Sequence, residues 1–152
     1  MEALVMGRTV FEVLLVEDSP GDVRLTREAF KEAKAQINLR VASDGTEAMA
    51  YLKREGRFAK APRPDLILLD LNLPKKDGRE VLEEIKQCPA LMSIPIVILT
   101  TSKSEEDILR SYSLHANCYI PKPVTLNGFL TVVKSIEDFW LSIVELPRET
   151  MR

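Results

Sequence analysis

The strongest constraint on this chain is a repeated arrangement in which a short run of Val, Ile and Leu stops abruptly at a polar residue and a stretch of helical periodicity follows. Val10-Phe11-Glu12-Val13-Leu14-Leu15-Val16 breaks into Glu17-Asp18-Ser19-Pro20-Gly21-Asp22, which reads as a buried strand entering an acidic loop. From Ser19 or Pro20, the positions Val23, Leu25, Ala29, Phe30 and Ala33 suit one helix face, with Asp22 early and lysines late, as the helix dipole favours. The pattern recurs with a strand over 37–42, a helix over about 44–55 and the loop Ala61-Pro62-Arg63-Pro64. A third strand, Leu66-Ile67-Leu68-Leu69, ends at Asp70 and leads into Asn72-Leu73-Pro74-Lys75-Lys76-Asp77-Gly78. Residues 79–87 read as helix, 94–99 as strand, and 104–114 as a helix opened by the capping signature Ser104-x-x-Asp107. A brief fifth strand, Cys118-Tyr119-Ile120, precedes Pro121-Lys122-Pro123 and a last helix over about 125–144.

Each of the five strands is too apolar to keep one face in water, so a parallel sheet covered on both faces is expected. Right-handed crossovers then favour a doubly wound α/β fold. Ligands of such sheets bind beyond the carboxyl ends of the strands. At 152 residues the chain fits one domain, expected as an extension over 1–9, a unit over 10–146 with a long last helix, and a tail over 147–152. A net charge of −2, with Lys and Arg scattered among acids, speaks against direct nucleic-acid binding. No apolar stretch approaches the roughly 20 residues that cross a bilayer, and no signal-peptide core opens the chain, so a cytoplasmic protein without membrane contact is expected. Cys88 and Cys118 lack metal-ligand spacing and read as free thiols, while the lone His115 suits a helix end.

Beyond the strands stand Glu17 and Asp18, Asp70, Thr100 and Lys122. Three carboxylates brought within a few ångströms require a proton or a cation. Hard oxygen ligands favour Mg²⁺, with Mn²⁺ the alternative, held directly by Asp18 and Asp70 and by Glu17 directly or through water. A carboxylate beside such an ion can act as nucleophile toward a phosphoryl donor, with Lys122 and the Thr100 hydroxyl stabilising the equatorial oxygens. The product would be an aspartyl phosphate on Asp70.

Val16-Glu17-Asp18-Ser19, Leu68-Leu69-Asp70-Leu71-Asn72-Leu73-Pro74 with Asp77-Gly78, Thr100-Thr101-Ser102 and Tyr119-Ile120-Pro121-Lys122-Pro123 resemble the response-regulator receiver domain, over roughly residues 10–140. The resemblance implies the flavodoxin-like strand order 2-1-3-4-5. It also implies that Asp70 accepts phosphate from a histidine kinase, that Asn72 offers its backbone carbonyl to the metal, that Lys122 pairs with the phosphate, and that Lys122-Pro123 is a cis peptide, whereas X-Pro bonds taken alone are mostly trans. Thr100 and Tyr119 would be the switch pair. Two positions depart from the common pattern, with Glu17 where a second aspartate is usual and Thr101 where a small residue is usual. More narrowly, Glu17-Asp18-Ser19-Pro20-Gly21-Asp22, Leu99-Thr100-Thr101-Ser102, Ala116-Asn117-Cys118-Tyr119-Ile120, Phe139-Trp140-Leu141 and Glu145-Leu146-Pro147 resemble the single-domain regulators of cyanobacterial phytochromes, which implies a phytochrome kinase as partner.

The expected role is thus a phosphoacceptor switch, not an enzyme acting on a separate substrate, that signals through non-covalent contacts. Two other classes compete: a receiver-shaped binding module, and an enzyme of related topology. The second is disfavoured because an aspartate-nucleophile phosphohydrolase wants an aspartate where Asn72 stands, and a flavodoxin wants a phosphate loop where Glu17-Asp18 would repel the ligand. In the last helix Phe129, Leu130, Val132, Val133, Ile136, Phe139, Trp140, Leu141, Ile143 and Val144 form a band wider than one sheet face needs. Either the N-terminal segment covers it or it is an interface. The expectation is a homodimer through the fourth and fifth helices and the tail, with Phe139, Trp140, Ile143 and Val144 in the interface.

Overall fold

Runs of β-branched and leucine side chains can be buried on both sides of a strand only if neighbouring strands and two helical layers surround them. Leu66–Leu69 and Ile96–Thr100 meet that condition, every residue of both being buried. The computed structural model of the chain describes residues 10–101 and 104–139, apart from the side chains of 105, 106, 109 and 111. The expected extension over 1–9, Trp140, Ile143, Val144 and the tail over 147–152 lie outside the described residues.

In chain order the elements are β1 (Val10–Val16), α1 (Pro20–Lys31), β2 (Gln36–Ala42), α2 (Gly45–Leu52), a 3₁₀ turn (Gly56–Phe58), β3 (Leu66–Leu69), α3 (Gly78–Gln87), β4 (Ile96–Thr100), α4 (Glu105–Ser113), β5 (Cys118–Pro121) and α5 (Leu126–Ile136). The strands form one parallel sheet in the order β2-β1-β3-β4-β5, the doubly wound topology expected. Alternation along the strands divides the core. Val13, Leu15, Leu66, Leu68, Val97 and Leu99 meet Phe30 of α1 and Phe129, Val133 and Ile136 of α5. Leu14, Val16, Ile67, Leu69, Ile96 and Ile98 meet Met49 and Leu52 of α2 and Val81, Leu82 and Ile85 of α3.

Three elements differ from the sequence reading. Helix α2 stops at Leu52, well before residue 55, because Arg54 turns into the left-handed region (φ 56°) and Gly56 follows it there (φ 57°), which starts the 3₁₀ turn. Strand β4 begins after Pro95, whose missing N–H cannot join the ladder. Helix α5 is α-helical only to Ile136 and passes through a wider π-type turn over 137–139. There the buried Glu137 carboxylate accepts the backbone N–H of Ala35 at 2.6 Å and ties the helix end to the α1–β2 loop.

The helix starts are chemically specified. Ser19, Asp44, Asp77, Ser104 and Thr125 all accept a first-turn N–H on their side chains. At α4 this is the expected Ser104 cap, and His115 closes the helix end in the left-handed region (φ 69°), its N–H donating to the Tyr112 carbonyl. Among the described residues no helix is long and apolar enough to cross a membrane. Both cysteines are free.

One glycine connects fold to site. A Cβ on Gly78 would collide with the Asp70 carbonyl oxygen and sit 2.6 Å from the Leu71 Cα, so the β3–α3 loop folds over its own strand end only without a side chain there. Gly78→Ala is expected to cost about 2 kcal/mol by overpacking, read as a lower urea midpoint at unchanged slope.

Candidate metal and phosphoacceptor site

The sheet brings Glu17, Asp18, Asp70, Thr100 and Lys122 together at the carboxyl ends of its strands, as the sequence predicts. Strand geometry continues into the site: Glu17 N–H donates to the Ala42 carbonyl at 3.0 Å, Asp70 N–H to Val16 at 3.1 Å, and Lys122 N–H to Thr100 at 2.8 Å. These side chains therefore project from backbone still held by the ladder, which is what positions a reacting group closely.

At the centre lies the Lys122 ammonium, its side chain only 4% exposed. It donates to Glu17 Oε1 at 2.6 Å, Asp22 Oδ2 at 2.9 Å and Asp70 Oδ2 at 3.0 Å. The other oxygen of Asp70, Oδ1, accepts from the Thr100 hydroxyl at 2.7 Å and from the Asn72 N–H at 3.2 Å. Glu17 Oε2 accepts the Ser19 N–H at 3.1 Å. Burial works against the lysine charge, but hydrogen bonds to Glu17, Asp22 and Asp70 outweigh it and raise its pKa. Glu17 is pushed up to about 7, chiefly by burial and further by the nearby Asp70 charge, against the pull of Lys122 and the Ser19 N–H.

Carboxylate oxygens of Glu17, Asp18 and Asp70 lie within 4.8 Å of one another, with Asp18 exposed and the other two buried. A hard-oxygen cluster open on one side, carrying more negative charge than one lysine offsets, fits a divalent cation that keeps part of its water.

Some residues stand where the sequence did not put them. Asp22 joins Glu17 and Asp70 around the Lys122 ammonium, although its sequence position suggests only a first-turn helix acid. Arg79 forms a two-pronged pair with Asp107 of α4 (2.8 and 2.6 Å) and reaches the Leu71 carbonyl at 3.4 Å. No local signal marks a partner 28 positions away. Tyr119 is half-buried and packs against the core on the α2/α3 side. Its register partner is Ile98 while that of Pro121 is Thr100, so it shares a sheet face with Thr100. The Lys122-Pro123 peptide is trans, correcting the cis bond expected, since among the described residues no peptide is cis; the lysine is aimed by its backbone bond to β4 and by the carboxylates around it.

The model of the response regulator receiver domain matches residues 13–134. The chain belongs to this family. It is 53% identical over 135 residues to the response regulator Rcp1 of Synechocystis sp., covering 89% of this chain and 92% of that protein. Among solved structures it resembles the phosphorylated cyanobacterial phytochrome response regulator RcpA, with 54% identity and a TM-score of 0.87 over 91% of this chain and 99% of that one. It likewise resembles the Mn²⁺-bound form of Rcp1, with 52% identity and a TM-score of 0.86 over the same shares. Receivers bind a divalent metal, and the cluster of Glu17, Asp18 and Asp70 has the donor set that such an ion takes.

The electrostatics set two expectations. Lys122→Met leaves buried carboxylates without a counter-charge and should cost the metal-free protein about 3–5 kcal/mol in urea denaturation near neutral pH. Glu17, whose folded pKa lies above its ordinary value of 4.5, holds its proton more tightly folded than unfolded. In EDTA, its contribution to stability should therefore be fully present below pH 4.5 and be lost as pH rises to about 7. Glu17→Gln should remove that slope, and an unchanged slope in the variant would refute the assignment.

Proposed function

We propose that the chain is a phosphorylatable switch that takes a phosphoryl group onto Asp70 from a sensor histidine kinase of the phytochrome type, and that residues 10–146 are its functional unit. The observation that carries this reading is the treatment of one buried carboxylate: Asp70 meets an ammonium on one oxygen and a hydroxyl and an N–H on the other.

An Asp70 oxygen attacks phosphorus, the new O–P bond forms, and the bond from phosphorus to the donor's histidine nitrogen, or to acetate, breaks with its electron pair. Asp70 suits this because the ladder bond to Val16 fixes its backbone and the Thr100 hydroxyl and Asn72 N–H orient its side chain. Lys122 lies on the Oδ2 side, where a cation can offset charge on the phosphoryl oxygens. On phosphorylation the Thr100 hydroxyl would turn from Asp70 to the phosphoryl group, and Tyr119, on the same sheet face, would follow it. Glu17, Asp18 and Asp70, with the Asn72 carbonyl, would hold Mg²⁺ or Mn²⁺. When bound, the metal neutralises charge on the phosphoryl oxygens and on the acidic cluster.

The resemblance to RcpA and Rcp1 supports the phytochrome connection, and the roughly half-exposed Tyr112 on α4 and Phe139 beyond α5 support a homodimer through α4, α5 and the following residues, Trp140, Ile143 and Val144 among them. Sedimentation equilibrium should detect that dimer at micromolar concentration.

With Mg²⁺ and acetyl phosphate, the intact mass of the wild type should rise by one phosphoryl group while that of Asp70→Asn does not. No gain with acetyl phosphate or with a phosphorylated kinase would shift the reading to a receiver-shaped binding module. Thr100→Val should still be phosphorylated but lose the switch.

A further inference from the structure

Helix α1 starts in an unusual way. Asp22 is its third residue, the position from which an acidic side chain commonly folds back to the N–H of the capping residue. Helix α3 does this, with Glu80 accepting the Asp77 N–H at 3.2 Å and Asp77 accepting from the first turn. In α1 the equivalent N–H, that of Ser19, is taken by Glu17 Oε2 at 3.1 Å. The Asp22 backbone N–H still caps onto the Ser19 hydroxyl at 3.3 Å, but its carboxylate crosses to Lys122 at 2.9 Å.

The consequence follows from comparing two sets of carboxylates. Lys122 is bonded by Glu17, Asp22 and Asp70, whereas the metal cluster is Glu17, Asp18 and Asp70. Glu17 and Asp70 belong to both sets, and Asp22 belongs to the lysine's set alone. A cation in the cluster draws on oxygens of Glu17 and Asp70, and a phosphoryl group on Asp70 consumes one oxygen outright. Of the three carboxylates around Lys122, only Asp22 is shared with neither the metal nor the phosphoryl group. We infer that Asp22 is a positioning residue that keeps the Lys122 ammonium in place when metal and phosphate occupy the site. An ammonium has three donors, so Asp22 can retain one while phosphoryl oxygens take the others, and its place on α1 ties the lysine on β5 to the first helix.

This rests on the proposed phosphorylation of Asp70, and the test separates the two. Asp22→Asn, Asp22→Ala and Asp22→Glu are compared with wild type for phosphorylation by acetyl phosphate, Mg²⁺ dissociation constant and the ¹⁵N signal of the Lys122 ammonium with Mg²⁺ added. The expected result is a phosphorylation rate lowered about tenfold in Asp22→Asn and Asp22→Ala, regained in Asp22→Glu, with the Mg²⁺ constant changed less than about threefold because no metal ligand is lost. The ammonium signal should persist in Mg²⁺-loaded wild type and Asp22→Glu and broaden away in Asp22→Asn. Wild-type rates in Asp22→Ala, or a loss of Mg²⁺ binding parallel to the loss of rate, would overturn the inference. Where wild type itself takes no phosphate, the phosphorylation reading fails, and the ammonium signal still decides Asp22: its survival in Asp22→Asn overturns the positioning role and its loss supports it.

Discussion

Everything at the carboxyl end of the sheet depends on one buried ammonium. A lysine side chain that is 4% exposed would be costly to charge without close partners, and buried carboxylates such as Glu17 and Asp70 would repel each other without it. The two problems cancel only in the arrangement seen, where β1, β3 and β5 deliver their strand-end residues to one point. Helix α1 adds the third partner. The sheet order makes this geometry available, since β1 and β3 are neighbours and β5 approaches from across β4, with Thr100 at the end of β4 filling the remaining place beside Asp70.

Such a cluster is settled without being closed. One lysine does not neutralise Glu17, Asp18, Asp22 and Asp70, and burial has already pushed Glu17 up to about 7. The surplus negative charge lies where Asp18 is exposed and a cation can enter. The same surplus that weakens the metal-free fold is the driving force for metal binding, so the site gives up stability in return for a chemical capability. Strain from local conflict of this kind is expected at a functional site and not in the core, and the central strands β3 and β4, buried throughout, carry no charged residue.

How much could be read in advance follows the range of the interactions. Continuous apolar strands announce themselves within a few residues, and a polar residue placed just after each strand inherits that legibility, which is why the convergence of Glu17, Asp18, Asp70, Thr100 and Lys122 is readable in the sequence. Helix ends were less legible where a positive φ, as at Arg54, ends a pattern that hydrophobic periodicity alone would extend. Pairings made by side chains across the fold left no trace: Asp22 with Lys122 is separated by 100 positions and Glu137 with Ala35 by 102. Family likeness pointed to Tyr119, which lies on the sheet face of Thr100, and misled where it implied a cis bond before Pro123.

The two helix starts flanking the site show how small local choices become functional ones. At α3, Asp77 and Glu80 satisfy each other's backbone, and Arg79 reaches out of the helix to grip Asp107 of α4 while holding the Leu71 carbonyl next to Asp70. Burial and the double hydrogen bond make this pair stronger than an ordinary surface bridge. The first turn of α4, capped by Ser104, is thereby anchored to the loop that carries Asp70, while the end of β4 touches Asp70 directly through Thr100. A shift of charge or bulk on that one carboxylate therefore bears on α4 by two routes, the β4 strand end and the Arg79 bridge, whereas it bears on α1 through Lys122 and Asp22. The site sits between these two helices, with Lys122 the cation that joins it to α1 and Arg79 the cation that joins its loop to α4.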